Sequence, residues 1–306
     1  MGNISPVDVA TRSEPAVERR RRGPARALLV ATRPRQWIKN LLVFAVPAAA
    51  GQLANGDVLA DAMLAFVAFC LASGGTYLLN DVADREADRA HPFKRHRPIA
   101  AGELSPGAAT AAAIAALVLA CAVALLAGPG LLLVVVAYVG LTTAYSRALK
   151  HVAIFDIAAV AAGFFLRAVA GGVAAELFIS KWFLIVAGGG SMFLVTAKRY
   201  AELRGVPDGS SRRVLAEYSE DYLRAMLSSI AGVIVVAYCI WCFQVHGDGA
   251  WPRAASAVPF VLGIMRYGLL VDQGHGEEPE SVLLRDRTLL GLGAACLGLL
   301  ALGSVL

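Results

Sequence analysis

The chain is short of charge. Only 17% of its 306 residues are Asp, Glu, Lys or Arg, whereas 58% are hydrophobic, with mean hydropathy +0.62. A water-soluble domain carries about 25% charged and about 45–50% apolar residues. That shortage excludes an ordinary soluble fold and a mostly disordered chain. Cysteine is scarce too, with five residues at 70, 121, 239, 242 and 296, all in apolar runs. Cys239 and Cys242 have CxxC spacing but no neighbouring His or further Cys, so a disulfide scaffold and a zinc site are not indicated. No Gly-rich stretch ends in Lys-Ser/Thr, so none reads as a phosphate cradle. Ser73-Gly74-Gly75-Thr76, Ala170-Gly171-Gly172 and Gly188-Gly189-Gly190-Ser191 lie within apolar runs and read as close helix–helix contacts.

What remains is long apolar runs. A membrane-crossing helix needs about 20 of them in a row. Such runs lie near 38–54, 58–80, 107–127, 129–146, 152–173, 182–197, 222–244, 254–271 and 288–306. The sequence therefore predicts an all-α, polytopic membrane protein with nine transmembrane helices. Residues 1–26, with Arg19 to Arg22 as a basic run, are expected to be a disordered basic arm, and 27–306 one transmembrane unit. The arm does not read as a secretory signal peptide. The polar loop 199–221 is expected to carry extra structure.

Orientation follows the cations. Of 28 Lys and Arg, 25 lie in the N-terminal arm to residue 39 or in the loops after helices two, four, six and eight. Lys181, Arg253 and the intramembrane Arg167 are the others. This predicts a plasma-membrane protein with its N-terminus and those loops in the cytoplasm.

The segment Asn80-Asp81-Val82-Ala83-Asp84-Arg85-Glu86-Ala87-Asp88 carries chemistry. At about 100° per residue, Asp81, Asp84 and Asp88 would share one helix face. Several oxygen donors would then meet at one helix mouth. That set suits Mg²⁺, a hard cation held by one or two carboxylates together with substrate phosphates. The plain alternative is a solvated acidic helix end neutralised by Arg85 and Arg89. Lys94 and Arg95 follow in His91-Pro92-Phe93-Lys94-Arg95-His96-Arg97-Pro98 and add cations to the same mouth.

Asn-Asp-x-x-Asp-x-x-x-Asp, followed by a basic stretch and Arg97-Pro98-Ile99-Ala100-Ala101-Gly102, resembles the first signature of the UbiA superfamily of intramembrane prenyltransferases. Tyr145-Ser146-x-x-Leu149-Lys150 matches as well. The resemblance spans nearly the whole chain and implies nine helices around a cytosol-facing cavity. It also implies a metal site at Asp81, Asp84 and Asp88, the residues expected to be catalytic, with Asn80 in support.

One departure is informative. Most members carry a second Asp-rich motif after helix six, and here the chain reads Lys198-Arg199-Tyr200-Ala201-Glu202. Cations there could take a phosphate without a bridging metal; the plain alternative is a basic helix end at a membrane face. With Arg33-Pro34-Arg35-Gln36-Trp37-Ile38-Lys39-Asn40, this resembles the decaprenyl-phosphate phosphoribosyltransferase branch. The resemblance implies transfer of 5-phosphoribose from 5-phosphoribosyl 1-diphosphate to a polyprenyl phosphate, releasing diphosphate and supplying a precursor of cell-wall arabinan. Substrate-binding candidates are Asn80, Arg35, Lys39, Lys94, Arg95, Tyr145, Lys150, Asp156, Lys198, Arg199 and Glu202. Tyr145 either bonds a phosphate or belts the interface, and Asp156 is expected to line the cavity near Lys150. Arg167 is expected to brace packing. The implied partners are the two substrates and the bilayer, without nucleic acid, and a homo-oligomer stays open. Two other readings stay open as well. One is a conventional prenyltransferase using an aromatic or haem-like acceptor, and the other a transporter without chemistry.

Overall fold

A computed structural model describes residues 22–205, 213–244, 250–275 and 279–305. Among them there are helices and no strands. In chain order these are α1 (Pro24–Ala31), a 3₁₀ segment (Pro34–Phe44), α2 (Ala45–Ala49), α3 (Gly56–Ala83), α4 (Arg85–Ala90), α5 (Pro106–Leu126), α6 (Pro129–Arg147), α7 (Phe155–Ala174), α8 (Lys181–Gly205), α9 (Glu220–Phe243), α10 (Ala250–Ala255), α11 (Ala257–Asp272), α12 (Pro279–Arg285) and α13 (Arg287–Val305). Short 3₁₀ turns add Lys94–His96, Leu149–His151 and Arg213–Glu217.

Local chemistry sets several boundaries. Pro24, Pro106 and Pro129 stand in first turns, where a missing N–H costs nothing. Side-chain caps fix others: Asn55 accepts from the amides of Asp57 and Val58, Ser105 from Ala108, and Ser219 from Tyr222.

Among the described residues, six helices are long and apolar enough to cross a membrane: α3, α5, α6, α7, α9 and the combined stretch Ala250–Asp272. On that measure the expected count of nine is not reached, although every expected run is helical over most of its length. α13 carries a shorter apolar stretch, Arg287–Gly303. The expected span 38–54 is corrected most. It begins at Pro34, is a 3₁₀ helix to Phe44, and ends at Ala49 in α2. A 3₁₀ helix rises about 2.0 Å per residue, so its eleven residues and the five of α2 together extend roughly 30 Å, one hydrocarbon thickness.

The last residues of the expected arm are structured: Arg22 pairs with Glu103 at 3.3 Å and α1 begins at Pro24. Residues 1–21 lie outside the described residues. So do 206–212 of the polar loop, whose remainder includes the 3₁₀ turn Arg213–Glu217.

α3 and α7 form the centre. Over half of their apolar windows are buried, 56% and 61%, against 17–28% for the other four candidate spans. Those outer helices leave Leu126, Leu133, Val118 and Met265 more than 60% exposed, an apolar surface that needs lipid. The 34–49 segment lies along α7 and runs the same way: a Cβ on Gly171 would collide with the Val43 carbonyl, and one on Gly172 with Val46. A Cβ on Gly75 of α3 would come within 2.9 Å of Leu117 on α5. These glycines serve close packing, as expected.

Arg167 braces the centre. Its Nε donates to Asn40 Oδ1 (2.8 Å), Nη1 to the Gly163 carbonyl (2.9 Å) and Nη2 to the Tyr138 hydroxyl (2.6 Å). It is 6% exposed, and the Tyr138 ring lies 4.6 Å from its guanidinium carbon.

Candidate active site

The acidic segment does not form one helix. α3 ends at Ala83, Asp84 sits between helices with φ −89° and ψ 6°, and α4 starts at Arg85. The break turns Asp81 and Asp88 toward each other and leaves Asp84 exposed. Asp81 and Asp88 are 2% and 3% exposed. Both bond the same nitrogen: Arg97 Nη1 donates to Asp81 Oδ1 at 3.2 Å and to Asp88 Oδ2 at 2.7 Å. Arg33 Nη2 donates to Asp81 Oδ1 at 2.5 Å, with its guanidinium 4.6 Å from the Tyr77 ring centre. Arg33 reaches there from a left-handed backbone, φ 55°, at the joint between α1 and the 3₁₀ segment.

Buried carboxylates need opposite charge, and two arginines supply it. Of the expected trio Asp81, Asp84 and Asp88, the structure brings Asp81 and Asp88 together and leaves Asp84 exposed, and no group of three or more His, Cys, Asp or Glu among the described residues is arranged to hold a metal. The donor set still fits a hard divalent cation, since two buried carboxylates converge on one point and Mg²⁺ ordinarily completes its shell with water and substrate phosphate. Arg85, next to Asp84, has a buried Nε without a hydrogen-bond partner, a donor that an anionic oxygen would satisfy. Asn80 is half-buried in the last turn of α3.

A second buried network lies at the same end of the bundle, where α7 begins and α8 ends. Asp156 is fully buried. Its Oδ2 accepts from Arg199 Nε at 2.7 Å and its Oδ1 from the Tyr218 hydroxyl at 2.6 Å. Arg199 Nη1 donates to Glu202 at 2.7 Å, and Lys198 Nζ stands 3.9 Å from the same carboxylate. The Ile154 amide donates to the Tyr218 oxygen at 2.5 Å. Burial first, and then the hydrogen bond to Asp156, push the Tyr218 hydroxyl far above its ordinary pKa. Tyr218 therefore stays protonated and remains a donor.

The cations expected to stand bare, Lys198 and Arg199, have carboxylate partners here. Arg199 is 2% exposed and double-paired, and Asp156 and Glu202 balance the two cations. Asp156 faces Arg199 and Tyr218 as its partners. Among the cations expected to bind substrate, Arg35, Lys94 and Arg95 are the exposed ones. Tyr145 and Lys150 are half-buried at the end of α6 and in the following turn. Lys39 is half-buried, with Nζ 5.8 Å from the Phe164 ring centre.

Phe164 leads into the membrane. It lines an apolar cavity of about 510 Å³ with Leu42, Ala168, Phe193, Ile264 and Leu297. Residues of the 3₁₀ segment, α7, α8, α11 and α13 thus form one greasy slot.

Sequence reasoning missed Arg33, Arg97 and Tyr218 as site residues. Arg33 and Arg97 each precede a proline beside an acidic or basic motif, and buried aspartates demand such partners. Nothing near Tyr218 in the sequence pointed to Asp156, 62 residues away.

Comparison with known proteins agrees with this architecture. Residues 41–302 match the model of the UbiA prenyltransferase family. A protein of Mycobacterium tuberculosis named decaprenyl-phosphate phosphoribosyltransferase is 43% identical over 274 residues, 87% of this chain and 90% of that protein. One of the same name from Corynebacterium glutamicum is 43% identical over 280 residues, 89% of this chain and 84% of that protein. Among solved structures, a UbiA homolog from Archaeoglobus fulgidus bound to GPP and Mg²⁺ superposes with TM-score 0.69 at 18% identity, covering 90% of this chain and 98% of that one. With its central α3 and α7, its acid-bearing end and this match over most of its length, the chain belongs to the UbiA prenyltransferase family.

Proposed function

We propose that the chain is a membrane phosphoribosyltransferase that moves 5-phosphoribose from 5-phosphoribosyl 1-diphosphate to a polyprenyl phosphate and releases diphosphate. The observation that carries this reading is 43% identity, over nearly nine-tenths of the chain, to proteins named decaprenyl-phosphate phosphoribosyltransferase. The geometry supports it. A polar end holds two converging carboxylates amid many cations, and an apolar slot of about 510 Å³ opens beneath Lys39 and Phe164. That pairing of polar mouth and greasy slot suits a phosphate head on a hydrocarbon tail.

Asp81 and Asp88 would hold Mg²⁺, with Asn80 and Asp84 on the adjoining turns. Bound there, Mg²⁺ would act as a Lewis acid that neutralises the departing diphosphate. Arg97 must then release at least one carboxylate, and its freed guanidinium becomes a phosphate donor beside Arg33 and Arg85. Lys94 and Arg95, shortly after Asp88, and Arg35, two residues after Arg33, are exposed and would draw the anionic donor in. The acceptor phosphate is already anionic at neutral pH, so no side chain need serve as general base. Lys39 would hold that phosphate at the head of the slot, with Lys150 and Tyr145 on the α6 side. Asp156, Arg199, Glu202 and Lys198 form a charge-balanced wall that keeps the α7–α8 corner in register. The site faces the cytoplasm in this proposal, as the cation distribution predicts.

The test is direct. Protein purified in detergent receives Mg²⁺, ribose-labelled 5-phosphoribosyl 1-diphosphate and polyprenyl phosphates of several lengths. A labelled lipid is expected, and its absence from a folded sample would overturn the proposal.

A further inference from the structure

One position along α8 from Arg199, Tyr200 starts a separate cluster. Its side chain is 2% exposed. Its hydroxyl accepts from Arg224 Nη2 at 3.1 Å and Arg204 Nη1 at 3.4 Å, and lies 3.3 Å from Asp272 Oδ1. Arg204 Nη1 also donates to the Asp272 carbonyl at 2.5 Å. Both guanidinium carbons lie over the Tyr200 ring, 5.5 and 5.9 Å from its centre. Two arginines from different helices, α8 and α9, thus share one exposed carboxylate and a buried phenol. Asp272 and, one turn before Arg224, Asp221 partly offset the two arginines, whose residues stay exposed.

Directly beside it runs a mainly apolar groove of about 290 Å³ between α9 and α11, lined by Leu227, Ala231, Ile264, Met265 and Gly268. Met265 is 65% exposed, so the groove opens on the outer flank of the bundle. Phe193 and Ile264 line both this groove and the larger slot. The groove and the slot are therefore neighbours divided by these two side chains.

We propose that this cluster and groove bind one anionic phospholipid of the surrounding leaflet, its phosphate on Arg204 and Arg224 and an acyl chain in the groove. Two exposed guanidiniums at the mouth of a mainly apolar channel complement an amphiphile with a phosphate head. A free phosphate would use the arginines and leave the groove unfilled. The groove is also little over half the volume of the slot, which favours one acyl chain over a long prenyl chain. Each arginine near an anionic surface adds about 1 kcal/mol, roughly fivefold in affinity per residue.

The full chain, delipidated in mild detergent, is titrated with phosphatidylglycerol, phosphatidylcholine, decaprenyl phosphate or inorganic phosphate, and followed by native mass spectrometry and thermal unfolding. Wild type should retain one phosphatidylglycerol and gain thermal stability, with little response to phosphatidylcholine. Arg204→Gln/Arg224→Gln should weaken that binding roughly 25-fold while transferase activity in zwitterionic detergent is unchanged. Gly268→Leu provides a second variant. Its new side chain starts in open space, since a Cβ there meets nothing within 4 Å, and it should block the groove with both arginines intact. Equal retention of phosphatidylcholine, equal stabilisation by inorganic phosphate, preference for decaprenyl phosphate, or undiminished binding by Gly268→Leu would each overturn the proposal.

Discussion

Tyr218→Phe removes one oxygen and leaves the ring's packing in place. That oxygen does two things: it donates to Asp156 Oδ1 at 2.6 Å and accepts from the Ile154 amide. A hydrogen bond to a charged group contributes about 1.5–3 kcal/mol, and a stranded buried N–H costs about 1–3 kcal/mol. Asp156 keeps Arg199 at 2.7 Å, so the lower half of the first range applies, and Ile154 is half exposed, so its amide can turn to water and adds at most the low end of the second. A net destabilisation of about 2–3 kcal/mol follows. Denaturation of wild type and variant in the same mixed micelles measures it. Because the wall around Arg199 loosens, the acceptor's KM should rise more than kcat falls. A Tyr218→Phe protein as stable as wild type, with both constants unchanged, would refute the latch between the α9 entry and the α7 start.

Gly171→Ala should destabilise strongly, by more than the about 1–3 kcal/mol usual for overpacking, because its Cβ would meet the Val43 carbonyl, whereas Gly190→Ala, with open space at its Cβ, should be near neutral; thermal unfolding compares the two. Gly263→Leu places a side chain in the apolar slot, where a Cβ meets nothing within 4 Å, and should raise KM for long polyprenyl phosphates more than for short ones in steady-state assays. The Arg266 hydrogen bond, reinforced by the Leu289 amide, lowers the pKa of Asp286. The ionised form is thus favoured by folding, so the pair's contribution is full above the ordinary carboxylate range and is lost as pH falls below that range through the lowered pKa of the folded state; unfolding curves of Asp286→Asn should lack that acid-side decline.

Much of this architecture is legible in the apolar runs. The expected span 129–146 corresponds to Pro129–Arg147, and 107–127 to Pro106–Leu126, because prolines and caps mark the starts. The run 38–54 misled, since counting α-helical residues assumes a 1.5 Å rise and 3₁₀ structure needs fewer residues to cross. The acidic motif misled in a related way. The i, i+3, i+7 spacing assumes an unbroken helix, and the chain breaks at Asp84, exchanging a shared face for a buried pair. Lys198 and Arg199 read as bare cations because local sequence does not show a carboxylate arriving from 43 residues away. Charge balance in a membrane protein is settled by tertiary contacts, and Asp156, Arg33 and Arg97 are its instruments here.

In the proposed reaction Asp81 and Asp88 together would hold a divalent cation for the diphosphate of the donor. Calorimetric titration of 5-phosphoribosyl 1-diphosphate into the detergent-solubilised protein, with and without Mg²⁺, tests it most directly. The account predicts binding that requires Mg²⁺ and is lost in both Asp81→Asn and Asp88→Asn. Binding of equal strength without Mg²⁺, or in either variant, would contradict it.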